Sequence, residues 1–142
     1  MLVSVIIPTY NRLPILKKCL LALESQILID EIHDYEIVLI DDGSTDGTPD
    51  WLENNIETFP HLRLFEQTHG GPALGRNFGV EKSNGDLIVF IDSDLVVDKY
   101  FLVNHFNFLK KAWKKYGHKN FFTYGSVINT SNFYNPKSEP FK

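Results

Sequence analysis

Cysteine is almost missing from this sequence. Cys19 is the only one in 142 residues, so no internal disulfide can form and no thiolate cage can hold a metal. A reducing compartment is the natural setting. Positive charge is also short, with 14 basic residues against 18 acidic ones, and a net charge of -4 argues against the basic stripe that nucleic-acid binding needs. No Gly-x-x-x-x-Gly-Lys occurs, which excludes a P-loop, and no histidine pair has metal-ligand spacing. Repeats, low-complexity tracts and dividing linkers are lacking. Met1 to Ile7 has neither a basic leader nor enough apolar length for a signal peptide or a membrane span. The expectation is a soluble cytoplasmic protein, with peripheral attachment at the inner membrane face as a variant. The solvated lysines Lys110, Lys111, Lys114 and Lys115 read as one exposed helix face rather than a membrane patch.

What the chain does contain is core material. Hydrophobic residues make up 43% and aromatics 13%, enough for one domain without staples. Leu2 to Ile7 is β-branched and stops at Pro8, which predicts a first strand. A helix follows, with Leu16, Leu20 and Leu23 at i, i+4, i+7 and Pro14 in its first turn. Tyr35 to Ile40 reads as a second strand, Thr48-Pro49 as a helix start, and Leu62 to Glu66 as a short third strand. Gly70-Gly71-Pro72 opens a helix whose Gly75 and Gly79 share one face, and that spacing predicts close approach to the sheet or to a ligand. Leu87 to Ile91 is a continuous apolar run, read as a central strand covered on both faces. Asp98 is the expected N-cap of a long helix buried through Leu102, Phe106, Leu109 and Trp113. Phe121 to Ile128 reads as a further strand, and 129–142 as a loop or tail. Strands alternating with helices predict a three-layer α/β/α domain with a mostly parallel, Rossmann-like sheet, spanning 1–142 as one unit.

Two of these strands run straight into acids: Asp41-Asp42, and Asp92-Ser93-Asp94. Ligands of open α/β sheets bind at the carboxyl ends of strands, so Asp92 and Asp94 have a functional reading that packing does not supply. The crowding has a cost, because like charges about 4 Å apart at an effective dielectric near 20 repel by roughly 4 kcal/mol. A cation can neutralise them, some can point away, or one can hold a proton. Hard oxygen ligands favour Mg²⁺ or Mn²⁺ completed by phosphates and water. For Asp41 to Gly47 a simple turn with an Asx cap accounts for the residues equally well. His33, His61 and His118 read as surface residues, and His105 as a core histidine. His69, beside the Gly-Gly pair, has the better claim to face a ligand. Arg76 reads either as a surface charge or as a phosphate contact.

Four motifs in order carry a resemblance: Val3-Ser4-Val5-Ile6-Ile7-Pro8-Thr9-Tyr10-Asn11-Arg12, Val38-Leu39-Ile40-Asp41-Asp42-Gly43-Ser44-Thr45-Asp46, Gly75-Arg76-Asn77-Phe78-Gly79, and Asp92-Ser93-Asp94. Together the chain resembles the family 2 glycosyltransferases of the GT-A fold. The resemblance implies a nucleoside pocket at Pro8, Thr9 and Tyr10, with Asp42 accepting the base N–H of uracil. It implies Arg76 approaching the nucleotide, Asp94 as the direct ligand of Mn²⁺ or Mg²⁺, and Asp92 with Ser93 on the ribose side, Asp92 also reaching the metal through water. The implied donor is a nucleoside-diphosphate sugar, with UDP expected. The implied acceptor is a saccharide or lipid-linked glycan, and transfer is by inversion.

Members of that family continue into an acceptor-binding half that supplies the general base. Between Tyr116 and Lys142 the only carboxylate is Glu139, in a proline-flanked tail, so no base is assigned in this chain. The expectation is therefore the donor-binding part of a transferase, with self-association through exposed apolar surface. Two alternatives stand beside it: a non-catalytic nucleotide-binding or interaction domain, and a haloacid-dehalogenase-like phosphatase using Asp92-x-Asp94.

Overall fold

Right-handed crossovers decide the layering of this chain. The computed structural model describes residues 1–127. The elements are β1 (Leu2–Thr9), α1 (Leu13–Glu24), β2 (Asp34–Asp41), α2 (Thr48–Asn55), a single 3-10 turn at Ile56–Thr58, β3 (Leu62–Glu66), α3 (Pro72–Lys82), β4 (Leu87–Phe90) and α4 (Phe101–Tyr116). Among the described residues the four strands pair in parallel, in the order β3-β2-β1-β4. The chain steps outward from β1 to β3, then returns past β1 to place β4. Since parallel crossovers keep one hand, reversing direction moves the connecting helix to the other face. Accordingly α1, α2 and α4 pack on one side through Leu16, Leu20, Leu52, Leu102 and Phe106, against Val3, Val5 and Ile37. The other side holds Ile6, Val38 and Ile40 beneath Phe78 of α3.

The glycine face of α3 is what lets it lie on that second side. A Cβ on Gly79 would stand 2.3 Å from Ile6 Cγ2, and one on Gly75 would stand 3.0 Å from Pro8 Cβ. Cys19 is fully buried in α1, and burial, with Asp94 adding to it, pushes its thiol up to about 12. It packs and does not react. The amino-terminal end of the sheet carries a buried polar network. Glu36 of β2 accepts hydrogen bonds from Ser4 Oγ (2.6 Å), Arg63 Nη1 (2.5 Å) and the Asn84 amide (2.6 Å), which ties the turn between α3 and β4 to the sheet.

Four expectations need correction. The run Leu87 to Ile91 is not a central strand: among the described residues β4 pairs with β1 alone and stands at the sheet edge, and Phe90 is 51% exposed. Its alternate residues meet both layers, but α3 packs on β1 and β2, so the second face of β4 is left half open. Among the described residues Phe121 to Val127 forms no strand: it makes no ladder with the open edge of β4, and Phe122 is 88% exposed. Ile128 and the expected tail 129–142, with Glu139, lie outside the described residues. Helix α4 begins at Phe101 rather than directly after Asp98. The Asp98 carboxylate instead accepts from the Tyr100 amide in the preceding turn. Finally, His61 is not a plain surface residue: it stacks on Tyr35 and pairs with Glu24 at 2.5 Å.

Candidate active site

The order β3-β2-β1-β4 puts a topological switch point between β1 and β4, where the connections leave in opposite directions and a crevice opens beyond the strand ends. Four loops line it, following β1, β2, β3 and β4.

The β2 loop is held by its own acids. Asp41 is buried and accepts from Ser44 Oγ (2.5 Å) and the Ser44 amide (3.1 Å), so it faces its own turn. Asp46 accepts from the Leu13 amide at 3.0 Å, from the Thr48 amide at 3.1 Å and from Thr48 Oγ1 at 2.6 Å, so its carboxylate serves the starts of α1 and α2 together. Burial opposes its charge, but those donors outweigh it and hold the carboxyl below its ordinary value. The β1 loop is tied to the same turn. Asn11, in the left-handed region at φ 50°, donates its amide to Ser44 Oγ and accepts from the Thr45 amide at 2.7 Å.

Asp42 organises the β3 loop. Its oxygens accept from the Gly70 and Gly71 amides, both at 2.8 Å, and from Gln67 Nε2 at 2.7 Å, while His69 Nδ1 lies 2.9 Å away. Burial pushes this carboxyl up, yet the donors and His69 outweigh burial and hold it below the ordinary range. The result fixes Gly71, at φ 88°, directly before the first turn of α3. It also brings His69 against Tyr10, with ring centroids 4.1 Å apart and planes at 28°.

The β4 loop presents Asp92 and Asp94 to solvent, with side chains 60% and 43% exposed. Each meets an arginine from a different element. Arg76 of α3 donates to Asp92 Oδ1 at 2.5 Å, and Arg12 donates to Asp94 Oδ2 at 2.8 Å. The repulsion expected between these acids is thus offset within the protein. Asp41 points away, Asp42 is hydrogen-bonded, and Asp92 and Asp94 are ion-paired.

Pro8, Thr9, Tyr10, Asp42, Arg76, Asp92, Ser93 and Asp94 line one cavity of about 330 Å³, together with Arg12, His69 and Pro72. All eight residues singled out for binding or metal contact are therefore gathered in one place. Arg12 stands at the N-cap of α1, and its pairing with an acid 82 positions away has no local signal in the sequence. Thr9 adds a further feature. It is 2% exposed, and its Oγ1 has no hydrogen-bond partner among the described residues. Among those residues no group of three or more His, Cys, Asp or Glu could hold a metal ion by itself.

The family model for glycosyl transferase family 2 matches residues 4–131. The chain belongs to this family. It is 34% identical over 113 residues to a poly(ribitol-phosphate) beta-glucosyltransferase of Bacillus spizizenii, covering 78% of this chain and 18% of that protein. An uncharacterized glycosyltransferase of Haemophilus influenzae is 38% identical over 109 residues, covering 76% of this chain and 42% of that protein. Among solved structures, S. aureus TarS 1-349 in complex with UDP-GlcNAc superposes with a TM-score of 0.67 at 31% identity, over 78% of this chain and 32% of the other. The mannosyltransferase PcManGT of Pyrobaculum calidifontis, in complex with GDP-Man and Mn²⁺, gives a TM-score of 0.67 at 32% identity, over 75% of this chain and 32% of the other. These neighbours are GT-A glycosyltransferases, and the four-stranded parallel sheet with helices on both faces is the part of that fold described here. The chain spans between 18% and 42% of the length of these two curated relatives. No helix among the described residues is long and apolar enough to cross a membrane.

Proposed function

We propose that this chain is the donor-binding part of a glycosyltransferase that takes a nucleoside-diphosphate sugar, UDP-linked, together with Mn²⁺ or Mg²⁺, for inverting transfer to a saccharide or lipid-linked glycan. The observation that carries the reading is the convergence of eight candidate residues, from three strand ends and one helix, on a single cavity at the switch point. Nucleotide-sugar complexes of two family neighbours support it.

The donor set fits a hard dication. Asp92 and Asp94 offer exposed carboxylate oxygens and no third acid joins them among the described residues, which suits an ion that fills its remaining positions with diphosphate and water. When bound, such an ion stabilises the charge that develops on the departing diphosphate. The protein's own groups do the rest. Tyr10, stacked on His69, offers a flat face for the base, and the unpartnered Thr9 hydroxyl offers a polar contact at the crevice wall. Asp42 fixes the Gly70-Gly71 turn and, by letting one of Gln67 or His69 swing aside, accepts the imide N–H of uracil. Pro72 places the positive end of α3 at the cavity, where a diphosphate is favoured. Arg76 reaches the same space from one turn further along.

Calorimetric titration of UDP tests this. Binding that requires Mn²⁺ or Mg²⁺ and is lost in Asp94→Asn supports the proposal. Binding that is indifferent to both metal and substitution contradicts it.

A further inference from the structure

Asp94 and Arg12 meet at the mouth of the cavity, Nη1 to Oδ2 at 2.8 Å. Their side chains are 43% and 54% exposed, so neither is locked by packing. The backbone around Arg12 is anchored: the Asn11 amide donates to Ser44 and the Leu13 amide to Asp46. The guanidinium is thus a swinging group on a fixed base, lining the same cavity as Asp94. A guanidinium and a divalent cation compete for one carboxylate, since each needs its oxygen lone pairs. Exposed ion pairs are weak, worth at most about 1 kcal/mol, so this one delays a competitor without excluding it. A diphosphate changes the balance, because it brings several oxyanions that a guanidinium binds in bidentate fashion.

We propose that Arg12 is a latch on the donor site: without nucleotide its guanidinium occupies Asp94, and an incoming diphosphate draws Arg12 onto its own oxygens and frees Asp94 for the metal. This rests on the reading of Asp94 as the metal's carboxylate. The consequence is coupled binding. Metal alone meets an occupied carboxylate, while metal and nucleoside diphosphate together find Asp94 released and Arg12 re-paired. By linkage, each raises the other's affinity by the same factor. The arrangement disfavours loading the site with a metal before the donor arrives.

The test is titration of the full chain with MnCl₂, following free Mn²⁺ by electron paramagnetic resonance, with and without saturating UDP, in the wild type, Arg12→Gln and Asp94→Asn. Without UDP, Arg12→Gln tightens Mn²⁺ binding by roughly three- to tenfold, through loss of the competing pair and of a nearby positive charge. With UDP the same substitution gives no tightening, because Arg12 has already left Asp94. Equal tightening in both conditions is a plain charge effect and overturns the latch. So does an unchanged affinity without UDP, provided Asp94→Asn abolishes binding. If Asp94→Asn retains full Mn²⁺ binding, the assignment of Asp94 falls, and the latch falls with it.

Discussion

Gly79 sits so close to Ile6 that a Cβ there would stand 2.3 Å from Ile6 Cγ2. Helix α3 lies on β1 and β2 at this distance, and its position sets where Pro72 and Arg76 enter the crevice. Gly79→Ala gains about 1 kcal/mol of helix propensity but forces an overpacked contact costing about 1–3 kcal/mol. The expected net result is a destabilisation of up to about 2 kcal/mol, read by urea unfolding. Arg76 then moves off Asp92, and nucleotide affinity falls along with stability.

Stability should also depend on acid through Glu36. Burial raises its pKa, but hydrogen bonds from Ser4, Asn84 and Arg63 outweigh burial and hold it below the ordinary range. A folded-state pKa below the unfolded one gives stabilisation that is fully present above the unfolded value, about 4.3, and is lost as pH falls through the folded value. Asp42 and Asp46 act with the same sign. Unfolding measured from pH 7 down to pH 3 should show stability falling below about pH 4.5. In Glu36→Gln the curve starts lower and its acid limb is shallower, since one of the three carboxylates is gone.

Tyr10 is 41% exposed and stacks on His69 rather than on the core. Tyr10→Ala is expected to weaken UDP by about 5- to 30-fold, the magnitude of about 1–2 kcal/mol for one base-stacking face, with little change in unfolding temperature. An equal loss of stability and affinity would show that the ring serves the fold instead.

Much of this was legible from sequence because the signals were local. The glycine spacing of α3 stated its close approach, and strands ending in acids stated which edge of the sheet matters. What was not legible is pairwise and long-range. An apolar run such as Leu87 to Ile91 records that both faces are apolar but not how many strands stand beside it, and β4 is an edge. The two acids Asp41 and Asp42 look alike in sequence, yet one folds onto Ser44 and the other holds Gly70 and Gly71. Asp46 reads as a turn residue but its carboxylate serves two helices whose first residues are 35 positions apart, Leu13 and Thr48. The pairs Arg12 to Asp94 and Arg76 to Asp92 exist only once the loops meet.

Asp94, at the carboxyl end of the sheet, is proposed as the point where a divalent ion meets a nucleoside diphosphate. Paramagnetic broadening of assigned backbone amides by Mn²⁺ in the presence of UDP locates that ion directly. The expected result is broadening centred on Asp92 to Asp94 and on Tyr10 to Arg12, sparing Ser4 and Glu36 at the opposite end of the strands. Broadening centred elsewhere, or unchanged in Asp94→Asn, would contradict it.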